Sequence, residues 1–199
     1  MNAFTLPTWK RRMARGFTML ELLVVMVLLS VLLTLAAPSF ITFQRNSELT
    51  TTSNEFLAAL TAARAEAMKR QLRTFVVPAD GSSWQSGWIV FVDANSNVTT
   101  GSTSMEAGID IEVARHAALS STLAITTPTG STGFVDGGAK YAMFNGSGFM
   151  ALLSSGGGFA NHALDITNGS ESRRIIANAT GRVRVCKPAD SGCTATADL

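Results

Sequence analysis

The apolar residues of this chain follow three different patterns in succession. Residues 17–37 are apolar apart from one carboxylate, Glu21, and three hydroxyl side chains. This run approaches the roughly 20 residues that a membrane-spanning helix needs. The preceding segment has no acidic residue and four basic ones, Lys10, Arg11, Arg12 and Arg15. Because basic flanks stay on the cytoplasmic side of a membrane, we expect the C-terminal part of the chain outside the cytoplasm.

Beyond Pro38 the apolar residues recur with the period of an amphipathic helix. Pro38 removes a helical hydrogen bond, so we expect a kink there and a bent continuation of the helix. One stripe of this continuation is apolar and predicted to be buried: Leu49, Phe56, Leu60, Ala63 and Ala67. The other faces carry charges predicted to be largely available to water: Glu48, Glu55, Arg64, Glu66, Lys69 and Arg70. The pattern predicts one helix over residues 17–70, roughly 80 Å long.

After residue 72 the pattern changes to short apolar runs separated by Gly, Ser, Asn and Asp. These runs predict strands at 74–78, 87–93, 109–116, 122–126, 141–144, 149–153, 163–167, 174–178 and 182–186. Asn145-Gly146 predicts a hairpin turn, and Thr180-Gly181 gives a weaker turn signal. Residues 95–108 and 154–161 are predicted to be mobile loops. The expected fold class is α+β, with a long N-terminal helix packed on an antiparallel β-sheet head.

The charge of the chain is unevenly distributed. The formal charge of the 199-residue chain is +2, but four of its basic residues precede residue 17. Residues 17–199 contain 12 basic and 14 acidic residues, a formal charge of −2. Attraction to a polyanion would therefore need a local basic patch. A candidate patch occurs near the C-terminus, where residues 173–187 contain no acid and five cations: Arg173, Arg174, Arg182, Arg184 and Lys187.

Two of these cations lie on one face of the last predicted strand. Strand alternation places Arg182 and Arg184 roughly 7 Å apart on one side and turns the adjacent valines to the other. Guanidinium groups at this spacing can follow a phosphate backbone. Charged side chains also protect an edge strand from aggregation, and the residues alone do not decide between the two roles. No recognition helix and no aromatic stacking platform adjoin the arginines, so any DNA binding is expected to be sequence-independent.

The chain has two cysteines, Cys186 and Cys193, with a Lys-Pro-Ala-Asp-Ser-Gly turn between them. In an exported protein this spacing suggests a small disulfide-closed loop, whereas in a cytosolic chain the pair would be free thiols. His116 and His162 are isolated in the sequence, so no metal site is expected. His162 is interpreted as a surface residue at a strand end.

The sequence contains no catalytic signature. It lacks a phosphate-binding Gly-rich loop with its Lys, a metal-spaced set of ligands and a nucleophile motif. Gly146-Ser147-Gly148 is better interpreted as a turn than as a nucleophile elbow. Trp84, Trp88 and Phe91 are interpreted as core residues, with ligand contact as the alternative. Neither an enzyme nor a cofactor is expected.

The junction Gly16-Phe17-Thr18-Met19-Leu20-Glu21 closely resembles the leader and cleavage site of type IV pilins and type II secretion pseudopilins. In that family a basic leader ends in Gly, Phe begins the mature chain, and Glu follows four positions later. The resemblance implies cleavage after Gly16 and N-methylation of Phe17 by a prepilin peptidase. It also implies that Glu21 pairs with the terminal amine of a neighbouring subunit. Alternatively, Glu21 is an acid in a first helical turn, where the helix dipole favours negative charge.

The C-terminal half resembles the GspH/FimT branch of minor pilins and pseudopilins. The resemblance rests on Phe144-Asn145-Gly146-Ser147-Gly148, on Arg173-Arg174-Ile175-Ile176 and on the tail Gly181-Arg182-Val183-Arg184-Val185. It implies a leader at 1–16, a transmembrane and filament-core helix at 17–44, and a head at 45–199. Within that head, an amphipathic helix at 45–72 precedes a β-rich region at 73–199. The resemblance also implies an inner-membrane precursor with a periplasmic C-terminus, which later joins other pilins in a filament.

The resemblance leaves two functions open. FimT-like minor pilins with a Gly-Arg-x-Arg tail are implicated in DNA capture during natural transformation. For this chain, that implies DNA-backbone binding by Arg182, Arg184, Lys187, Arg173 and Arg174. The H-type pseudopilin of type II secretion shares the fold and need not bind DNA. A plain membrane-anchored enzyme is a third hypothesis, and it predicts an uncut Gly16-Phe17 junction.

Overall fold

The computed structural model describes residues 16–195 of the chain. Within them, helix α1 (Met19–Arg70) is followed by eleven strands and a short 3₁₀ helix (Trp84–Ser86). The chain divides into two compact units, Met1–Thr42 and Phe43–Leu199. We call the described part of the first unit the N-terminal unit (16–42) and the second unit the head (43–199), of which the structure describes residues 43–195.

The N-terminal unit is mostly helical, and its described side chains are exposed throughout. Thr18 precedes the helix, and its Oγ1 accepts a hydrogen bond from the backbone N–H of Glu21 at 3.2 Å, as an N-cap does. Large apolar residues here, such as Leu20 and Phe40, are 75% and 65% exposed. In residues 16–195 no single helix has the length and hydropathy of a membrane span. The two helical segments Met19–Thr34 and Ala36–Arg70, which are joined by a bend, have them when taken together.

The bend in α1 lies about one turn before Pro38. Its two segments meet at residue 35, whereas Pro38 itself lies inside the helix. Proline has no N–H to donate to the carbonyl four residues earlier, which is that of Thr34, and its ring crowds this carbonyl. Pro38 therefore explains the predicted kink, and the distortion falls on its N-terminal side.

The last part of α1 belongs to the head and buries one stripe of side chains. All five predicted stripe residues are buried: Leu49, Phe56, Leu60, Ala63 and Ala67. The helix ends at Arg70, and the next residue, Gln71, has a positive φ of 58°. Gln71 Nε2 donates to the carbonyl of Met68 at 2.7 Å, which satisfies one acceptor of the last turn.

The strands of the head are, in chain order, β1 (Thr74–Pro78), β2 (Trp88–Val92), β3 (Ile111–His116), β4 (Ala124–Thr126), β5 (Val135–Asp136), β6 (Ala139–Lys140), β7 (Ala142–Phe144), β8 (Met150–Ala151), β9 (His162–Thr167), β10 (Ser172–Ala177) and β11 (Val183–Cys186). They form a five-stranded sheet in the order β3-β2-β1-β7-β8 and a four-stranded sheet in the order β11-β10-β9-β4. Strands β5 and β6 form a separate hairpin, and all pairings among these strands are antiparallel.

Each of the nine predicted strands has an observed counterpart, and the observed ends differ by at most two residues. The sequence does not predict β5 and β6, because two-residue strands on either side of Gly137-Gly138 are too short to show alternation. The Asn145-Gly146 turn is confirmed between β7 and β8, where the N–H of Gly148 donates to the Asn145 carbonyl at 2.8 Å.

The main hydrophobic cluster lies between α1 and one face of each large sheet. Phe56 is fully buried there, and its ring meets Trp84, Trp88 and Phe134 edge-on, with centroid distances of 5.3, 4.9 and 6.0 Å. We call the sheet faces that contact this cluster the inner faces. The interpretation of Trp84 and Trp88 as core residues is confirmed.

Two further clusters cover the opposite, outer faces of the sheets. On the five-stranded sheet, Phe75, Phe91 and Tyr141 lie with Val98 and Met105 of the loop after β2, so Phe91 is also a core residue. On the four-stranded sheet, Ala163 and Ile176 pack against the C-terminal loop. The three clusters contain no residue before Leu49. The head therefore encloses its own core, and we take residues 43–199 as a unit that folds on its own.

Candidate functional site

The basic tail of the sequence forms the edge of the four-stranded sheet. Strand β11 pairs with β10, with Val183 opposite Ala177 and Val185 opposite Ile175. Val183 and Val185 are half-buried against the main cluster, on the inner face. Because strand side chains alternate, Arg182 and Arg184 face outward, as the sequence predicts. Arg182 is exposed and Arg184 is half-buried.

The turn before β11 requires glycine at position 181. Gly181 has a φ of +79°, and a Cβ built there would lie 1.9 Å from the carbonyl oxygen of Gly148. The turn is closed by Asn178, whose carbonyl accepts from the Gly181 N–H at 2.8 Å. Asn178 Oδ1 also accepts from the Arg182 N–H at 2.9 Å. The backbone that carries Arg182 is thus fixed by a tight turn packed against the β7–β8 hairpin.

Arg64 joins this turn to the hairpin. Its Nε donates to the carbonyl of Gly148 at 3.0 Å, and its Nη2 donates to the carbonyl of Thr180 at 3.1 Å. Arg64 is half-buried, as are Glu48 and Glu66, so the prediction that these three side chains are largely available to water is wrong. The helical pattern could not reveal the role of Arg64, because both acceptors come from turns that are distant in the sequence.

Arg174 is committed to a contact inside the head. Its Nε and Nη2 each donate to one oxygen of the Asp165 carboxylate, both at 2.7 Å, and its Nη1 donates to the Cys193 carbonyl at 3.0 Å. The hydrogen bonds with Asp165 raise the pKa of Arg174 above its usual value. Asp165 lies on β9, opposite Arg174 in the sheet register, so the fold supplies an acid that residues 173–187 lack.

Arg173 and Lys187 lie on the inner side of the edge, near α1. They line a groove of about 300 Å³ together with Thr50, Ser53, Asn54, Val185, Cys186 and Asp190. The Arg173 side chain is 17% exposed and contacts Glu171 at 3.5 Å, whereas Lys187 is exposed. The five candidate cations therefore do not share one surface. Arg182 and Arg184 face outward, Arg173 and Lys187 flank the groove, and Arg174 is paired.

The expected disulfide is present and closes the loop after β11. Cys186 and Cys193 are bonded, with their Cα atoms 5.9 Å apart, and Cys193 is buried in the third cluster. The closed loop presents the Gly192 carbonyl to Arg184, whose Nη2 donates to it at 2.5 Å. The loop thus contacts the two arginines Arg174 and Arg184 through the carbonyls of neighbouring residues.

His162 lies in the core, so its interpretation as a surface residue is wrong. It is the first residue of β9 and shares the inner face with Leu164 and Ile166, because strand side chains alternate. The imidazole is 3% exposed and stacks on Phe134 with centroids 5.1 Å apart. Its Nδ1 forms a 2.7 Å hydrogen bond with Thr132 Oγ1, and burial lowers its pKa to about 4.

The predicted processing site lies at the start of the N-terminal unit. Phe17 is 78% exposed, and a Cβ built on Gly16 would meet no atom within 4 Å. Glu21 is also exposed, in the first turn of α1. The basic residues expected to complete the leader, Lys10, Arg11, Arg12 and Arg15, lie outside the described residues.

Comparison with known proteins gives two family matches. The prokaryotic N-terminal methylation motif matches residues 11–37, and the type II transport protein GspH family matches residues 52–181. No curated protein matches the chain.

Solved structures with a similar fold include minor pilins. The type IV minor pilin FimU of Pseudomonas aeruginosa strain PAO1 is 17% identical over 74% of this chain and 95% of its own, with a TM-score of 0.50. The minor pseudopilin EpsH from the type II secretion system of Vibrio cholerae is 14% identical over 72% of this chain and 99% of its own, with a TM-score of 0.45. The FimU match supports the pilin-like fold of the chain.

Proposed function

The chain belongs to the GspH family of type II transport proteins, and we propose that it is a minor type IV pilin that binds DNA for uptake in natural transformation. Its precursor is anchored in the inner membrane with a periplasmic head. It then joins other pilins in a filament that presents the head. The function is structural and binding, without catalytic turnover.

One observation carries the DNA-binding proposal. Arg182 and Arg184 face outward from the edge strand of the four-stranded sheet, and Lys187 is exposed just beyond them, on the inner side of the same edge. The nearby Asp165 carboxylate is already held by Arg174. The edge is therefore a local basic patch, although residues 17–199 carry a formal charge of −2. Charged and flexible Lys and Arg side chains suit phosphate oxygens along a strand.

The same geometry favours binding that is independent of base sequence. β11 is a short edge strand, and the head presents no helix shaped to enter a major groove beside it within residues 43–195. Phosphate contacts release counterions, so the affinity should fall with salt by about 0.9 logarithmic units per decade for each phosphate neutralised on duplex DNA. The number of phosphates that Arg182 and Arg184 neutralise on the outer face, with any further contact by Lys187 across the edge, sets the slope of this salt dependence.

The test is a gel shift with the head (residues 43–199) and duplex DNA at moderate salt. We expect the parent head to retard the duplex and the double variant Arg182→Gln/Arg184→Gln to lose at least about tenfold in affinity, since charged hydrogen bonds are lost. The matched control, Arg45→Gln/Lys69→Gln, removes the same charge from exposed positions on α1 and should bind as the parent does. Equal affinity of the parent and the Arg182/Arg184 variant would refute the assignment.

An H-type pseudopilin of type II secretion is the second candidate. Membership of the type II transport protein GspH family favours it. This alternative predicts that the head does not retard DNA and that deletion of the chain stops the export of secreted enzymes. Loss of transformation with normal export would support the DNA-uptake pilin instead.

The N-terminal residues serve assembly in either case. The methylation motif over residues 11–37 supports cleavage after Gly16 and N-methylation of Phe17 by a prepilin peptidase. Glu21 then lies in the first turn of α1, four residues from the new amine. In a filament it pairs with the terminal amine of a neighbouring subunit, which offsets the cost of burying the carboxylate among apolar side chains.

A further inference from the structure

Two exposed phenylalanine rings lie in contact on the surface of the head. Phe149 is 38% exposed and Phe159 is 59% exposed, and their centroids are 5.0 Å apart with an angle of 39° between the ring planes. The other ring contacts found within residues 16–195 each include at least one buried ring. This exposed pair, which we call the aromatic pair, needs a different explanation from core packing.

The backbone on both sides of the aromatic pair is hydrogen-bonded. Asn145 fixes Phe149 twice, because its N–H donates to the Phe149 carbonyl and its Oδ1 accepts from the Phe149 N–H, both at 3.0 Å. Phe159 forms an antiparallel bridge with Ala151, and the Leu152 N–H donates to the Gly158 carbonyl at 2.8 Å. The pair is therefore held in place without being covered by the rest of the head.

The backbone that carries Phe149 adjoins the turn that carries Arg182. Gly148, which precedes Phe149, touches Gly181, which precedes Arg182. Met150, which follows Phe149, donates its N–H to the Ala179 carbonyl at 3.1 Å. The turn that carries Arg182 therefore contacts the residues on both sides of Phe149.

Strand alternation places both groups on outer sides of the sheets. Met150 and Val183 both contact the main cluster, so each points toward it. Their neighbours Phe149 and Arg182 therefore point away from the main cluster, each on the outer side of its own sheet. The sequence predicts no aromatic platform beside the arginines, because Phe149 lies 33 positions before Arg182. In the fold, the residues on both sides of Phe149 contact the turn that precedes Arg182.

We propose that the aromatic pair and the arginines Arg182 and Arg184 together form a binding site for single-stranded DNA. This inference rests on the DNA-binding function proposed above and specifies the form of DNA. The guanidinium groups contact phosphates, and an unpaired base stacks on the exposed face of Phe159. In a duplex the faces of internal bases are stacked on each other, so only unpaired bases can use these rings. The positive charge beside the rings favours a polyanion with aromatic bases over a neutral apolar partner.

The experiment measures fluorescence anisotropy of the head (residues 43–199) with a labelled oligothymidylate and with a labelled duplex of equal length at the same salt. We expect the parent to bind the single strand more tightly. Phe159→Leu, which keeps an apolar side chain but removes the ring, should weaken single-strand binding by about tenfold and change duplex binding by less than about twofold. Phe159→Tyr keeps the ring and should retain single-strand affinity.

A spectroscopic measurement reports stacking directly. Phe159→Trp places an indole at the exposed position, whereas Trp84 and Trp88 are 4% and 2% exposed. We expect oligothymidylate to quench the emission of this variant and to leave that of the parent nearly unchanged, because only the exposed indole can contact a base.

The outcomes separate this inference from the proposed function. If Phe159→Leu binds the single strand as the parent does while Arg182→Gln/Arg184→Gln loses both probes, the stacking site is refuted and DNA binding stands. If the parent binds neither probe, DNA binding is refuted and the stacking site with it. If Phe159→Leu binds the single strand as the parent does but is not incorporated into filaments, the aromatic pair is a contact between subunits. That result would overturn the inference.

Discussion

The N-terminal unit and the head use apolar residues in opposite ways. The described side chains of residues 16–45 are exposed, including long runs of Leu and Val. In the head, by contrast, apolar side chains from α1 and both large sheets form three buried clusters. The contrast shows that the head is stabilised by its own residues, whereas the apolar side chains of residues 16–42 form an exposed surface of the kind that marks a membrane or protein contact.

The two units also treat polar groups differently. Glu21 is an exposed acid within an apolar helix, and its proposed partner is another molecule. His162 is a buried polar residue within the head, and its partners Thr132 and Phe134 belong to the same chain. The contrast predicts that substitutions in the head change its own stability, whereas those in the N-terminal unit change assembly.

The largest effect is expected from truncating the same residue type in both units. Phe56→Ala removes a fully buried ring that contacts Trp84, Trp88 and Phe134, and should lower the free energy of unfolding of the head by about 3–5 kcal/mol. Phe40→Ala, at a position 65% exposed, should change it by less than about 0.5 kcal/mol. Denaturant unfolding of the full chain in a neutral detergent measures both, and similar losses would abolish the contrast between the units.

A smaller effect is expected from pH, through His162. Burial lowers the pKa of His162 to about 4, while its usual value is about 6.5. Below pH 6.5 the unfolded chain binds a proton that the folded head does not, so stability is lost as pH falls toward 4. The contribution between pH 7 and pH 5 is about 2 kcal/mol.

Unfolding of the head (residues 43–199) at pH 7 and pH 5 tests this dependence. His162→Gln keeps a polar side chain that does not titrate, so its stability should depend less on pH than that of the parent by about this amount. An identical pH dependence in the parent and the variant would mean that other groups cause it. Keeping the pH at or above 5 limits the contribution of carboxylates.

The smallest effect on the head is expected from Glu21. Glu21→Gln should leave the free energy of unfolding of the head unchanged within about 0.5 kcal/mol, because the side chain is exposed and lies outside the head. The same variant should lose incorporation into filaments, since it removes the charge that pairs with a terminal amine. Mass spectrometry should still find N-methylated Phe17 at its N-terminus, and normal incorporation would refute the assembly role of Glu21.

The sequence predicts most of the fold because the fold follows local patterns. The buried stripe of α1 is evident from helical spacing, and the longer strands are evident from alternation. Strands β5 and β6 are too short to leave a pattern. The prediction of His162 as a surface residue is wrong because the sequence does not reveal whether a single histidine at a strand end points inward or outward.

The site is only partly predictable, because it is assembled from distant segments. The outward orientation of Arg182 and Arg184 follows from alternation alone. The commitment of Arg174 to Asp165 depends on the pairing of β9 with β10, and the proximity of Phe149 to Arg182 depends on two turns that touch. Such long-range registers are not encoded in any local pattern.

The two hydrogen bonds of Arg64 have a consequence for the order in which the head folds. They join α1 to carbonyls 84 and 116 positions later in the chain. Contacts that close such long loops cost chain entropy and form after the local elements that support them. We therefore expect both hydrogen bonds of Arg64 to form late in folding, after α1, the β7–β8 turn and the turn at Thr180 have each formed. The last part of α1 and the turn that carries Arg182 would then be joined only in a head that has largely folded.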